Sequence, residues 1–190
     1  MIYFNQLTLK ENPIYTSKKN LFTKDECENI KELFPLLTGN MVQPSTTAGG
    51  DTRMKRSSSN VWIPFGGDFH WLYERVAEAS KELNIWGFDL SGFFENFQLT
   101  LYRQGDHYSW HQDAGVDNMS LRKLSAVVQL SSMDEYAGGD LEFFLSQKDD
   151  ALKEQGTAIF FPSYQVHRVA PVIEGQRMSL VIWMSGNPYR

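Results

Sequence analysis

Residues 97–103, "FQLTLYR", decide the fold. Phe97, Leu99 and Leu101 alternate with Gln98, Thr100 and Tyr102. That period of two puts alternate side chains on opposite faces of a strand. Short strand-like stretches follow it to the C-terminus: "KLSAVVQLS" (123–131), "GDLEFF" (139–144), "GTAIFF" (156–161), "HRVAPV" (167–172) and "RMSLVIWMS" (177–185). Gly, Pro and polar residues punctuate them. Many short strands in succession imply a sandwich or barrel.

Upstream the period changes. "TKDECENIKELFPLL" (23–37) opens with Thr23 and Glu26 in capping-box spacing, and Ile30, Leu33, Phe34 and Leu37 form one helical stripe. "DFHWLYERVAEASKELN" (68–84) puts Leu72, Val76, Ala79 and Leu83 on a second stripe, with Asp68 as its expected N-cap. The polar segment between them, "VQPSTTAGGDTRMKRSSSN", is long for a plain connection. Residues 43–60 read either as a lid or as a disordered loop, with Arg53, Lys55 and Arg56 as solvated charges. The whole is an α+β chain: one domain over 1–190, helical support and the polar segment in 1–90, and the strand-rich core in 91–190.

Composition narrows the function. The chain has 190 residues, 42% of them hydrophobic and 14% aromatic, enough for a substantial core. A net charge of -5 gives no broad basic footprint for nucleic acid. Cys27 is the single cysteine, so no internal disulfide forms, and it reads as a small packed residue. The N-terminus is mixed in polarity, unlike a signal peptide. No apolar run approaches the ~18 residues that span a membrane. These features lead us to expect a soluble, cytoplasmic protein.

The chemistry starts in "HYSWHQDAG" (107–115). On a strand, His111 and Asp113 would share a face and could grip one ion. A buried carboxylate needs a partner, and His167, at the head of "HRVAPV", offers a third ligand. Two histidines and one carboxylate make the facial triad of non-haem iron oxygenases. Ten residues after His167 stands Arg177, which shares strand parity with Ser179, Val181 and Trp183. An inward guanidinium among apolar residues calls for an anion, and its fork suits a carboxylate. His107 would share parity with His111, but a fourth protein ligand would crowd the metal. His70, at a helix start, reads as structural.

The blocks "QLTLYRQGDHYSWHQD", "RKLSAVVQLS", "YAGGDLEFF", "GTAIFFPS" and "VHRVAPVIEGQRMSLVIWMSG" resemble, in this order, the 2-oxoglutarate- and Fe(II)-dependent dioxygenases of the prolyl 4-hydroxylase-like branch. The resemblance implies a double-stranded β-helix, or jelly roll, carried on N-terminal helices. It implies His111, Asp113 and His167 as iron ligands. It implies Arg177 as the partner of the distal carboxylate of 2-oxoglutarate, with Ser179 and Tyr102 nearby. Gln129 stands where many relatives place a tyrosine. Arg122 and Trp183 match substrate-facing positions. The implied cofactors are Fe(II), 2-oxoglutarate and O2, with ascorbate as a supporting reductant. The implied reaction hydroxylates an unactivated C–H bond and releases succinate and CO2, with a prolyl residue in a peptide or protein as the modal substrate. A free amino acid or other small metabolite is the alternative. A nucleic-acid demethylase of the superfamily typically carries a second arginine six residues after the first, where this chain has Trp183. A zinc hydrolase could use the same ligands, but it gives Arg177 no role. A non-catalytic binding module would not turn over 2-oxoglutarate.

Overall fold

The computed structural model describes residues 13–41, 43–44, 55–144 and 146–188. Helix α1 spans Lys24–Met41. It starts where its sequence says it should. The Thr23 amide donates to Glu26 Oε2 at 2.8 Å, and the Glu26 amide donates to Thr23 Oγ1 at 3.2 Å. Both arms of the box thus satisfy amides that have no partner inside the helix. Thr23→Ala removes one arm and should lower stability by about 1 kcal/mol. Calorimetry should register it as a fall in Tm of roughly 2–4 °C for a chain of this size.

Helix α2 spans His70–Leu83 and follows a 3-10 turn at Gly67–Phe69. Asp68 lies inside that turn and does not cap α2. The N-cap is Phe69, without a side-chain bond, because the turn already feeds the chain into helical geometry. Leu72, Tyr73, Val76 and Ala79 form its buried stripe. Tyr73 also links helix to sheet: its hydroxyl donates to the Ile63 carbonyl at 2.7 Å and accepts from the Phe97 amide at 3.0 Å.

The strands are β1 Thr16–Lys18, β2 Gln43–Pro44, β3 Arg56–Ser57, β4 Ser59–Ile63, β5 Gly92–Phe93, β6 Phe97–Arg103, β7 His107–His111, β8 Arg122–Gln129, β9 Tyr136–Gly138, β10 Leu141–Phe143, β11 Ala158–Pro162, β12 His167–Val169 and β13 Val172–Ser185. The large sheet runs β1-β11-β8-β13-β6-β4-β2, with β5 and β9 also on β13, and the small sheet runs β10-β12-β7-β3. Every pairing among the described residues is antiparallel. This is the jelly-roll arrangement. Residues 1–90 supply more than helical support, since β1 to β4 extend both sheets.

Strand parity sorts the two faces of the large sheet. Phe97, Leu99, Leu101, Leu124, Ala126, Val128, Leu180 and Ile182 pack with Ile30, Phe34, Leu72 and Val76 in the main core. The opposite face carries Gln98, Tyr102, Val127, Arg177, Ser179 and Trp183, which line a cavity. Helices cover the first face, so that face is apolar. The second face is left for chemistry. Among the described residues, no helix is long and apolar enough to cross a membrane.

The polar segment read as lid or loop lies partly outside the described residues, at 42 and 45–54. Its described edges are strands: Gln43 pairs with Asn60, and Arg56 pairs with Tyr108.

Candidate active site

His111 ends β7 and His167 begins β12, and the two are directly paired across the small sheet. Asp113 lies beyond the end of β7, so strand parity is not what brings it to His111. The turn does so instead: the Asp113 and Ala114 amides both donate to the Ser163 carbonyl, at 2.9 and 2.8 Å. The outcome is convergence. Asp113 Oδ1 lies 3.6 Å from His111 Nε2, and Oδ2 lies 3.8 Å from His167 Nε2. One ligand atom from each of the three residues falls within 4.8 Å of the others.

The surroundings prepare these groups for a cation. His111 Nδ1 donates to the Ser109 carbonyl at 2.8 Å, and His167 Nδ1 donates to the Gln165 carbonyl at 2.9 Å. A proton held at Nδ1 leaves the Nε2 lone pair free for a metal. Burial, reinforced by His111, pushes His167 down to about 4 against the pull of Asp113. The ring is therefore neutral near pH 7. Burial pushes Asp113 up, but the two histidines and the Ser125 hydroxyl outweigh it and hold the carboxyl well below the usual range. Neutral imidazole and ionised carboxylate are the states that ligate.

Ser125 was not singled out from sequence, although its parity in "KLSAVVQLS" marks it as a polar residue on the cavity face. Its hydroxyl donates to Asp113 Oδ2 at 2.7 Å and lies 2.9 Å from Ser163 Oγ. Ser125→Ala should weaken metal binding about 10–100-fold, the usual loss for a partner that orients a ligand. Competition against a fluorescent chelator measures it. Unchanged affinity would mean that the main-chain turn alone positions Asp113.

His107 does not join the triad, and the reason is a bulge. His167 and Val169 on β12 face His111 and Tyr108 on β7, so three residue steps oppose two and the parity flips. Tyr108, not His107, therefore stacks on His111, with centroids 3.5 Å apart and planes 14° apart. His70 does not line this cavity and pairs with Glu74 at 3.2 Å. Cys27 is fully buried, and burial pushes its thiol up to about 12, so it is not a nucleophile.

Arg177 is 1% exposed. Its Nη2 donates to Gln129 Oε1 at 2.8 Å and its Nη1 to Ser179 Oγ at 3.5 Å, while its Cζ lies 5.5 Å from the centre of the Tyr102 ring. Among the described residues Nε has no partner, and no carboxylate pairs with the guanidinium. The double glycine of "YAGG" gives this side chain its room. Gly139 sits at φ +60, and a Cβ there would come 3.1 Å from Arg177 Cδ.

Arg122 is committed differently. It forms a two-pronged pair with Glu95 at 2.6 Å on each side and donates to the Asp113 carbonyl at 3.2 Å. It also stacks 3.8 Å over the ring of Trp183. The Trp183 indole N–H is buried without a partner among the described residues. The triad, Arg177, Arg122, Glu95 and Trp183 border one cavity of about 650 Å3. Glu95, which precedes β6, carries no signal of this role in the sequence.

The segment from β6 to β13 matches a family model. Residues 97–185 match the model of the 2OG-Fe(II) oxygenase superfamily. A PKHD-type hydroxylase of Teredinibacter turnerae is 38% identical over 93 residues, 46% of this chain and 41% of that protein. The chain spans about two fifths of the length of the first curated relatives it matches. Among solved structures, a Pseudomonas putida prolyl-4-hydroxylase superposes with a TM-score of 0.69 at 21% identity, covering 92% of this chain and 93% of that one. A prolyl hydroxylase from Trichoplax adhaerens, in complex with a hypoxia inducible factor oxygen degradation domain peptide fragment, gives 0.70 at 18% identity, covering 90% and 83%. At these identities the likeness is one of fold.

Proposed function

We propose that the chain is an Fe(II)- and 2-oxoglutarate-dependent hydroxylase acting on a prolyl residue in an extended peptide. The observation that carries this reading is Arg177: a buried guanidinium on the wall of the triad's cavity, with no carboxylate partner among the described residues. A cation so placed needs an anion. A fork of N–H donors matches a carboxylate, and the distal carboxylate of 2-oxoglutarate supplies one.

His111, Asp113 and His167 would hold Fe(II), and their number leaves open positions on an octahedral ion. The chemistry iron supplies when bound is the coupling of 2-oxoglutarate decarboxylation, to succinate and CO2, with oxidation of a C–H bond by O2. The protein's part is position and exclusion of water. Ser125 and the two carbonyl-bound Nδ1 atoms hold the ligands in place. Gln129, Ser179 and Tyr102 surround Arg177. Arg122, through Glu95 and the Asp113 carbonyl, holds the turn that carries Asp113. Tyr108, Trp62 and Trp183 give the cavity an aromatic wall that suits a pyrrolidine ring. The named relatives include PKHD-type and prolyl hydroxylases, one of them holding a peptide, and this supports the prolyl reading. A single buried free thiol fits a cytoplasmic setting.

The test offers Pro-rich peptides, free proline and a methylated oligonucleotide with Fe(II), 2-oxoglutarate and ascorbate. Succinate and a gain of one oxygen on the peptide are expected. Oxidation of free proline alone removes the peptide from the reading, and loss of methyl from the oligonucleotide replaces it with demethylation. Absence of succinate with every substrate removes the oxygenase.

A further inference from the structure

Arg56 is a third guanidinium on this cavity, beside Arg177 and Arg122. Instead of being solvated it is 8% exposed. Its Nε donates to Ser58 Oγ at 2.9 Å, and its Nη2 donates to Asn60 Oδ1 at 3.0 Å and Gln98 Oε1 at 2.8 Å. Its Cζ lies 4.7 Å from the centre of the Tyr108 ring. All these partners are neutral. They fix the fork without cancelling its charge.

The balance of charge around the cavity is uneven. Its wall carries Lys55, Arg56, Arg122 and Arg177 against two carboxylates, Glu95 and Asp113. Glu95 is taken by Arg122. On the reading proposed above, a divalent metal, a doubly charged 2-oxo diacid, Asp113 and Arg177 together sum to zero. The charge of Arg56, with exposed Lys55 beside it, remains. A buried cation without a counter-ion is costly, and a ligand that brings the anion removes that cost on binding.

We propose that Arg56 is an anion subsite for the molecule being hydroxylated, and that this substrate carries a carboxylate. The proposal rests on the hydroxylase reading and adds a substrate class to it. The contacts from Arg56 to Tyr108 and from Tyr108 to His111, 4.7 and 3.5 Å, place the subsite one ring away from a metal ligand. An extended chain rises about 3.3 Å per residue, so the acid lies within about three residues of the oxidised carbon. Two sources supply such a group: an Asp or Glu side chain flanking the reacting residue, or the terminal carboxylate of a short peptide or amino acid.

The test uses short peptides in matched pairs that differ by one carboxylate. Pro-Asp is set against Pro-Asn, Pro-Glu against Pro-Gln, and a free C-terminus against its amide. Each pair is repeated with Ala in place of Pro. Calorimetric Kd values are taken on protein loaded with Fe(II) and 2-oxoglutarate without oxygen, for wild type, Arg56→Gln and Arg56→Lys. The readout is the amide-to-acid ratio within each variant, so a general loss of fold or metal cancels. Wild type should favour the acid about 10–100-fold, the worth of a charge-assisted hydrogen bond. Arg56→Gln should bring the ratio close to one, and Arg56→Lys should keep part of it.

A preference confined to one arm assigns the side chain or the terminus as the source. Equal affinity for acid and amide in wild type, including no measurable binding of either, overturns the proposal, as does an unchanged ratio in Arg56→Gln. The prolyl reading fails separately. If acids bind through Arg56 but oxygenation of the same peptides never marks a proline, the substrate is a different acid and the subsite stands.

Discussion

Arg177→Ala raises the KM for 2-oxoglutarate by tens- to thousands-fold. Losing one partner of a desolvated, charge-assisted pair costs about 2–5 kcal/mol, and that energy is the binding of the distal carboxylate. The variant should still fold. No carboxylate among the described residues pairs with Arg177, so its removal strands no buried anion. It leaves Gln129 short of one donor and opens a void behind Gly139. Arg177→Lys keeps the charge and loses the fork, and should fall between the two. Gln129→Leu removes only the acceptor that orients Nη2, and should do less than either. Succinate formation against 2-oxoglutarate concentration measures all three. An unchanged KM in Arg177→Ala would move the cosubstrate's anion site elsewhere on the cavity, with Arg56 as the next candidate.

His167→Ala brings metal content and succinate formation to background. Partners that merely orient a ligand are worth about 10–100-fold in affinity, so loss of the ligand itself must exceed that. His111→Ala should behave alike. His107→Ala is the control: the same residue type on the same strand, displaced from the triad's face by the bulge. It should keep its metal stoichiometry. Elemental analysis beside a succinate assay reads both quantities. A His167→Ala protein with full metal content would take His167 out of the triad.

Much of the site was legible in the chain because the information is local. The alternation in "FQLTLYR" separates Leu99 and Leu101, in the core, from Gln98 and Tyr102, in the cavity, and no contact needs to be known to see it. Arg177 and Ser179 share a face for the same reason. At His107 parity alone would mislead, and only the crowding argument kept it out of the ligand set, since periodicity assumes an unbroken ladder and β7 carries a bulge. Asp68 misled the reading, since a cap is a matter of backbone geometry and a 3-10 turn pre-empted it.

Charge pairing was not legible. Arg56, Arg122 and Arg177 are alike as letters, and each is inward-facing. Their fates depend on what stands opposite: Glu95 for Arg122 from 27 residues away, Gln98 for Arg56 from 42, Gln129 for Arg177 from 48. By itself the sequence determined the core strands β6, β8 and β10 to β13, the two helices and the candidate metal-ligand set, because periodicity and donor chemistry belong to short stretches of chain. Only the tertiary structure decided which guanidinium is neutralised and which two stand without a carboxylate partner among the described residues, because electrostatic energy depends on distances across the fold and on burial, and neither is a property of neighbouring residues.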